Sequence, residues 1–356
     1  MVIKIYPTTK VYVVAPANTA TGGPELLHQL VYHLIKDLDV EAYMYYIPSD
    51  HPDPVHPEYK LYNNPFVRNI EDSDKNVLIV PEVISAIKVL REYREIRKVI
   101  WWLSVDNFYL SLFLSSKKNL FISRLINKIS GIIFRKKFID ITELAYRYIY
   151  PKDFFYIPEV KQANFHLAQS YYAVKHLTER GISEERIFYL SDYLNENFLN
   201  IKTDLTKKEN IVAYNPKKGF SFTKKIIKAA PDIKFIPLIN MTRQEVIKTL
   251  QKAKVYIDFG NHPGKDRLPR EAAILGCCVI TGKRGSAKYF EDVPISEEYK
   301  FEDKEENIPL IVEKIKDCFK NFEIHYKNFE NYRNIIKNEP KKFIKYLENI
   351  FNVKRD

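Results

Sequence analysis

The stretch KVYIDFGNHPGKDRLPREAAILGCCVIT, residues 254–281, decides how the rest of the chain is read. An apolar run from Lys254 to Phe259 gives way to a polar loop rich in glycine, proline and charge. A helix through Leu275 follows, and a second apolar run, Cys277 to Thr281, comes after it. Continuous apolar runs of this length suit strands covered on both faces, and a helix between two of them makes a βα unit of a parallel sheet.

The same alternation continues upstream. Asn210 to Tyr214 reads as a strand, Ser221 to Ala230 as a helix and Ile233 to Leu238 as a strand. Thr242 is placed as the N-cap of a helix running to Ala253. In the first half, Lys10 to Ala15, Glu41 to Ile47, Asn76 to Val80, Lys98 to Leu103 and Arg186 to Leu190 are predicted strands. Pro24 to Lys36 is a predicted helix with Leu26, Leu27, Leu30, Leu34 and Ile35 on one face, and Pro48 to Pro65 is predicted loop. The polar segment Asn195 to Glu209 reads as a linker. The expected architecture is α/β: two doubly wound domains, 1–200 and 201–300, and a helical tail, 301–356, packing back across them. In the tail Phe343, Ile344, Leu347, Ile350 and Phe351 fall at helical spacing.

Composition narrows the classes of partner. With 56 Lys+Arg against 45 Asp+Glu, the net charge of +11 favours nucleic acid, an acidic membrane or a phosphorylated small molecule. No nucleic-acid recognition motif accompanies the charge or the 14% of aromatic residues, so no nucleic-acid partner is expected. The three cysteines, Cys277, Cys278 and Cys318, suit buried thiols in a reducing compartment. No run reaches the roughly 18–20 apolar residues of a membrane span, and the start MVIKIYPTTK lacks the apolar core of a signal peptide. A cytoplasmic protein is expected. Between Asn107 and Ile139 there is no acidic residue, while Lys117, Lys118, Arg124, Lys128, Arg135, Lys136 and Lys137 alternate with large apolar side chains. That basic amphipathic pattern, 117–137, predicts peripheral contact with an anionic bilayer, on the inner face of the plasma membrane.

The residues that bear chemistry gather in loops that follow predicted strands, the edge at which open α/β sheets bind ligands. Gly22 and Gly23, with Pro24 after them, open the first helix, where the backbone can turn tightly and free N–H groups can meet an anion. The spacing is not the dinucleotide fingerprint, which argues against NAD or FAD. Lys218 and Gly219 sit in the turn Asn215-Pro216-Lys217-Lys218-Gly219, placed to meet phosphate. In the loop from His262 onward, Lys265, Arg267 and Arg270 surround a helix start and form a predicted diphosphate cradle, with Glu271 positioned to accept from a ribose diol. Arg284, Gly285 and Ser286 lie in the next loop and converge on the same crevice. Asp106 and His166 are the candidate acceptor bases in the first half. His51, Asp53 and His56 read as ordinary loop residues, and no metal-ligand spacing or bound cofactor is expected.

These motifs resemble the GT-B glycosyltransferases, in particular the glycogen-synthase-like group that includes many bacterial cell-surface sugar transferases. The turn at Gly22-Gly23-Pro24-Glu25 with its Leu-rich helix, the Lys218-Gly219 turn, Leu268-Pro269 followed by Glu271-Ala272, and Gly285-Ser286 match that group over residues 10–295. The first of the family's paired glutamates falls on Pro263, and Tyr214 and Asn215 stand where an arginine often precedes the Lys-Gly turn. The resemblance implies two Rossmann-like domains with the active site in the cleft between them. It further implies transfer of a sugar from a nucleotide-sugar co-substrate, without metal, to a saccharide or lipid-linked acceptor of bacterial surface polysaccharides such as lipopolysaccharide or capsule. Lys218 and Arg267, joined by Arg243 or Arg284, would stabilise the leaving diphosphate. The pair His262-Pro263 also resembles the His-Pro pair of sialyl- and Kdo-transferases, which keeps an inverting CMP-sugar enzyme open as an alternative. A non-catalytic sugar- or nucleic-acid-binding protein is the other alternative.

Overall fold

A computed structural model describes residues 2–115 and 157–353; the basic stretch 117–137 lies outside the described residues. Strands β1 (Ile3–Ile5), β2 (Lys10–Pro16), β3 (Glu41–Ile47), β4 (Phe66–Val67), β5 (Val77–Pro81), β6 (Arg97–Trp102), β7 (Phe165–Ala168) and β8 (Ile187–Tyr189) come from the first half. All but β1 join one parallel sheet in the order β4-β3-β2-β5-β6-β7-β8. The central strands β2 and β5 are buried along almost their whole length, as their unbroken apolar sequence requires. Strand β3 lies beside the two-residue edge strand β4, and its residues alternate between buried and more open positions.

Helix Gly22–Lys36 buries Leu26, Leu27, Leu30, Val31 and Leu34 against this sheet. Ile35, expected on that face, is 36% exposed, and Val31 takes its place: at 100° per residue position 35 lies beyond the edge of the stripe. One further expectation is corrected, and one strand lies outside those predicted. The loop after Pro48 contains a 3₁₀ turn, Pro57–Tyr62, and His166 lies within β7, a strand too short to show a period in the sequence.

The second half builds β9 (Glu209–Tyr214), β10 (Lys234–Pro237), β11 (Ala253–Asp258) and β12 (Cys278–Thr281) into a parallel sheet ordered β10-β9-β11-β12. Thr242 caps helix Arg243–Lys252 as expected, exchanging hydrogen bonds with Glu245. The three cysteines are free and buried. The tail forms helices Ile308–Lys320, Phe322–Asn328 and Glu330–Ile350; Phe351, expected to continue the last helix, starts β13 (Phe351–Val353), which pairs with β1.

One residue of the segment read as a linker is anchored in the second unit. Lys208 turns inward, and its ammonium donates to the carbonyls of Leu250, Ala253 and Leu275 at 2.7–2.8 Å. Two of those carbonyls stand at the ends of helices Arg243–Lys252 and Arg267–Ile274, where the last C=O groups lack intrahelical partners and a cation is favoured.

The described residues group into two compact units, one within Met1–Gln169, Ala173–Leu190 and Ile344–Asp356, the other within Ser170–Tyr172 and Ser191–Phe343. Among the described residues no helix is long and apolar enough to cross a membrane.

Candidate functional site

In the second unit the strand order reverses between β9 and β11, and in open α/β sheets ligands bind at the carboxyl ends of the strands at such a reversal. Two glycines set the geometry there. Gly219 adopts φ +58° and precedes helix Phe220–Ala229; a Cβ on it would stand 2.2 Å from the carbonyl oxygen of Phe259. The loops after β9 and β11 are thus in backbone contact, which only the absence of a side chain permits. Gly285, at φ +60°, makes the matching contact one loop further on: its Cβ would lie 2.0 Å from the carbonyl oxygen of His262, which accepts the Ser286 N–H at 2.9 Å. Three loops are thereby stitched together at one sheet edge.

Lys218 enters this edge from the first loop. Its ammonium pairs with Asp258 at 3.3 Å, pairs with Asp266, and lies 3.1 Å from Nδ1 of His262. Asp258 ends β11 and is buried; its Oδ2 accepts from the Tyr256 hydroxyl at 2.9 Å. His262 is buried, with Nδ1 2.8 Å from Asp266 and Nε2 3.2 Å from the carbonyl oxygen of Asp258. Burial works against the charge of Lys218, but the two carboxylates outweigh it and raise its pKa. For Asp266 burial likewise opposes the charge, and Lys218 and His262 prevail, holding the carboxyl well below its usual range. The ligand atoms of Asp258, His262 and Asp266 lie within 4.8 Å of one another, a spacing suited to holding a cation, and the ammonium of Lys218 is paired with both of the carboxylates. Four-residue intervals, Asp258 to His262 to Asp266, were the available sequence signal for this trio.

The basic residues of the loop are drawn to varying depths toward buried acids. Arg267 opens helix Arg267–Ile274, with its Nε 3.8 Å from Asp192, and Glu271 lies half-buried on the same helix. Lys265 and Arg270, grouped in the sequence with the phosphate cradle, turn away into the unit. Arg270 is fully buried and donates to both oxygens of Asp192 at 2.8 and 2.7 Å and to Glu339 at 2.9 Å. Lys265 pairs with Glu339 at 2.8 Å. Their alternation within one loop-helix segment is invisible without knowing which helix face is covered.

Arg284 is exposed, 4.0 Å from Asp303. Asp303, unread in the sequence, accepts the Gly260 N–H at 2.8 Å and thereby ties the later loop to the same edge. Ser286 is buried and donates to the Gly264 carbonyl at 2.5 Å. Arg243 is exposed at the first turn of its helix.

The first unit has its own reversal, between β2 and β5. Gly22 and Gly23 start the helix that follows β2, and the Thr21 carbonyl accepts from the Tyr59 hydroxyl at 2.8 Å. Asp106 is wholly buried in the first turn of helix Val105–Ser115. His166 is also wholly buried; its Nδ1 accepts from the Trp102 indole at 3.0 Å, and burial pushes its pKa down to about 3. A residue the sequence did not flag, Glu82, stands immediately after β5, buried, with Oε2 accepting the Leu103 N–H at 3.0 Å. Burial pushes its carboxyl up to about 8, with backbone hydrogen bonds opposing the rise. Its folded pKa exceeds the unfolded value of 4.5, so its contribution to stability is complete below pH 4.5 and is lost as pH climbs toward 8. Glu82→Gln is therefore expected to leave the unfolding temperature unchanged at pH 4 and to stabilise the fold by roughly 2–3 kcal/mol at pH 7. Thermal unfolding of both proteins across this range checks the sign.

No protein-family model and no curated protein matches the sequence. Solved structures do match the fold. Sucrose-phosphate synthase from Thermosynechococcus elongatus superposes with a TM-score of 0.58 at 10% identity, over 96% of this chain and 98% of that one. HepE from Anabaena, solved with UDP and glucose, gives 0.56 at 10% identity over 96% and 98%. The lipopolysaccharide outer core galactosyltransferase WaaB gives 0.51 at 11% identity over 96% and 99%. These are GT-B glycosyltransferases, and the chain has their fold, with two Rossmann-like parallel sheets.

Proposed function

We propose that the chain is a glycosyltransferase that takes its sugar from a nucleotide-sugar, with UDP the preferred nucleotide, and that the edge formed by Lys218, His262, Arg267 and Glu271 receives the donor. The observation that carries this reading is the lysine held at the reversal point of a parallel sheet by loops joined at Gly219 and Gly285. A diphosphate fits such an edge because backbone approaches it closely and fixed cations stand beside it. As the sugar departs, negative charge grows on the phosphate, and cations already in place stabilise that state more than the starting one. HepE, solved with UDP and glucose, supports the nucleotide, and WaaB supports a saccharide acceptor of surface polysaccharide synthesis. The basic sequence from Lys117 to Lys137 supports a lipid-linked acceptor presented at an anionic membrane face.

Titration with UDP, GDP and CMP, followed by thermal unfolding and calorimetry, tests the proposal. UDP should raise the unfolding temperature more than the others. Lys218→Ala and Glu271→Ala should each weaken UDP binding about tenfold to a hundredfold, the worth of a charged hydrogen bond, while the proteins stay folded. Wild-type affinity in both variants, or no response to any nucleotide, would sink the assignment.

A further inference from the structure

Before any ligand arrives, the ammonium of Lys218 is already paired with two carboxylates, Asp258 and Asp266. A diphosphate reaching the same ammonium brings more negative charge to a place where acids outnumber the lysine. The two acids are not equivalent. Asp258 is fixed at the end of β11, buried, with one oxygen held by Tyr256. Asp266 stands at the N-cap of helix Arg267–Ile274 with its side chain 23% exposed, and its Oδ2 is shared between Lys218 and His262.

We propose that Asp266 is a positioning residue of the donor site: with Asp258 it holds the Lys218 ammonium at the end of β11 and competes with the donor's diphosphate for it. The proposal rests on the donor-site reading above and deepens it. Lys218 is kept in place when the site is empty, is drawn to the phosphate when the donor binds, and is reclaimed by the carboxylates when the nucleotide leaves. A lysine without such opposition would hold the product diphosphate as firmly as the reacting donor, slowing release without aiding transfer.

Asp266→Asn keeps the shape and removes the charge. UDP should then bind about tenfold more tightly, as expected when one of the two carboxylates that compete for the ammonium is neutralised, while turnover of a nucleotide-sugar falls. Asp266→Glu should return the affinity toward that of the wild type. In a Lys218→Ala background the same Asn substitution should gain nothing, because Asp266 acts through the lysine. A gain that persists without Lys218 would mean direct repulsion and would overturn the positioning role. Unchanged or weaker binding by a folded Asp266→Asn protein would overturn it as well. Pyrophosphate, titrated in parallel, carries the charge without the nucleoside. Failure of the wild type with UDP alone counts against the donor reading, whereas no gain with either probe counts against Asp266.

Discussion

Arg270→Ala is expected to remove about 3–5 kcal/mol of unfolding free energy, the range for breaking a buried ion pair from one side. The guanidinium is fully buried and is the hub of the arrangement, with forked hydrogen bonds to Asp192 and a third to Glu339. It also donates to the main-chain carbonyls of Asp266 and Lys265 at 3.2 and 3.1 Å, so it braces the very loop that carries the candidate site. Burial alone would push Asp192 up, but Arg270, Arg267 and Lys265 together hold it below its ordinary value. Without Arg270 two buried carboxylates would face Lys265 and the more distant Arg267, 3.8 Å from Asp192. Arg270→Lys should fall between the two, because an ammonium keeps the charge but cannot reproduce the planar fork. Urea unfolding measures the ranking; a loss below 1 kcal/mol for the alanine variant would show that the cluster reorganises without its centre.

Gly219→Ala should abolish nucleotide binding, with a loss of at least about a hundredfold, the scale seen when a binding group is displaced by an ångström. The new methyl would stand 2.2 Å from the Phe259 carbonyl oxygen and 2.5 Å from the Gly260 nitrogen, all main chain, so the loops after β9 and β11 must part. Lys218 is the adjacent residue and would leave its place beside Asp258 and Asp266. The control is Gly181→Ala. Gly181 has φ +81° but nothing within 4 Å of its would-be Cβ, so it should show only the backbone cost of about 1 kcal/mol and keep full UDP affinity. Equal effects of the two substitutions on UDP binding would refute the steric argument.

Most of the fold was legible because it rests on local period. The runs that begin at Lys10, Asn76 and Lys98 are apolar after their first residue, and only a strand covered on both faces has that use for them. Strand β7 escaped because four residues containing a histidine carry no period, and Lys208 escaped because a lysine in a polar stretch gives no sign that three buried carbonyls await it. The candidate site was legible in part for a related reason. Turn glycines and basic residues after strands mark a ligand edge whatever the rest of the chain does, and Lys218, Gly219 and Gly285 meet at one.

By itself the sequence determined that this chain alternates strand and helix into parallel sheets, and that its basic loops follow the strands. The reason is that burial period and backbone conformational limits act within a few residues. Only the tertiary structure decided which acids those cations meet. Lys265, Arg267 and Arg270 share one segment, and they pair with Asp192 and Glu339, residues far away along the chain. Lys218 likewise meets Asp258 and Asp266 only when β9 and β11 become neighbours. Charge acts through space, and strand order rather than sequence order sets those distances.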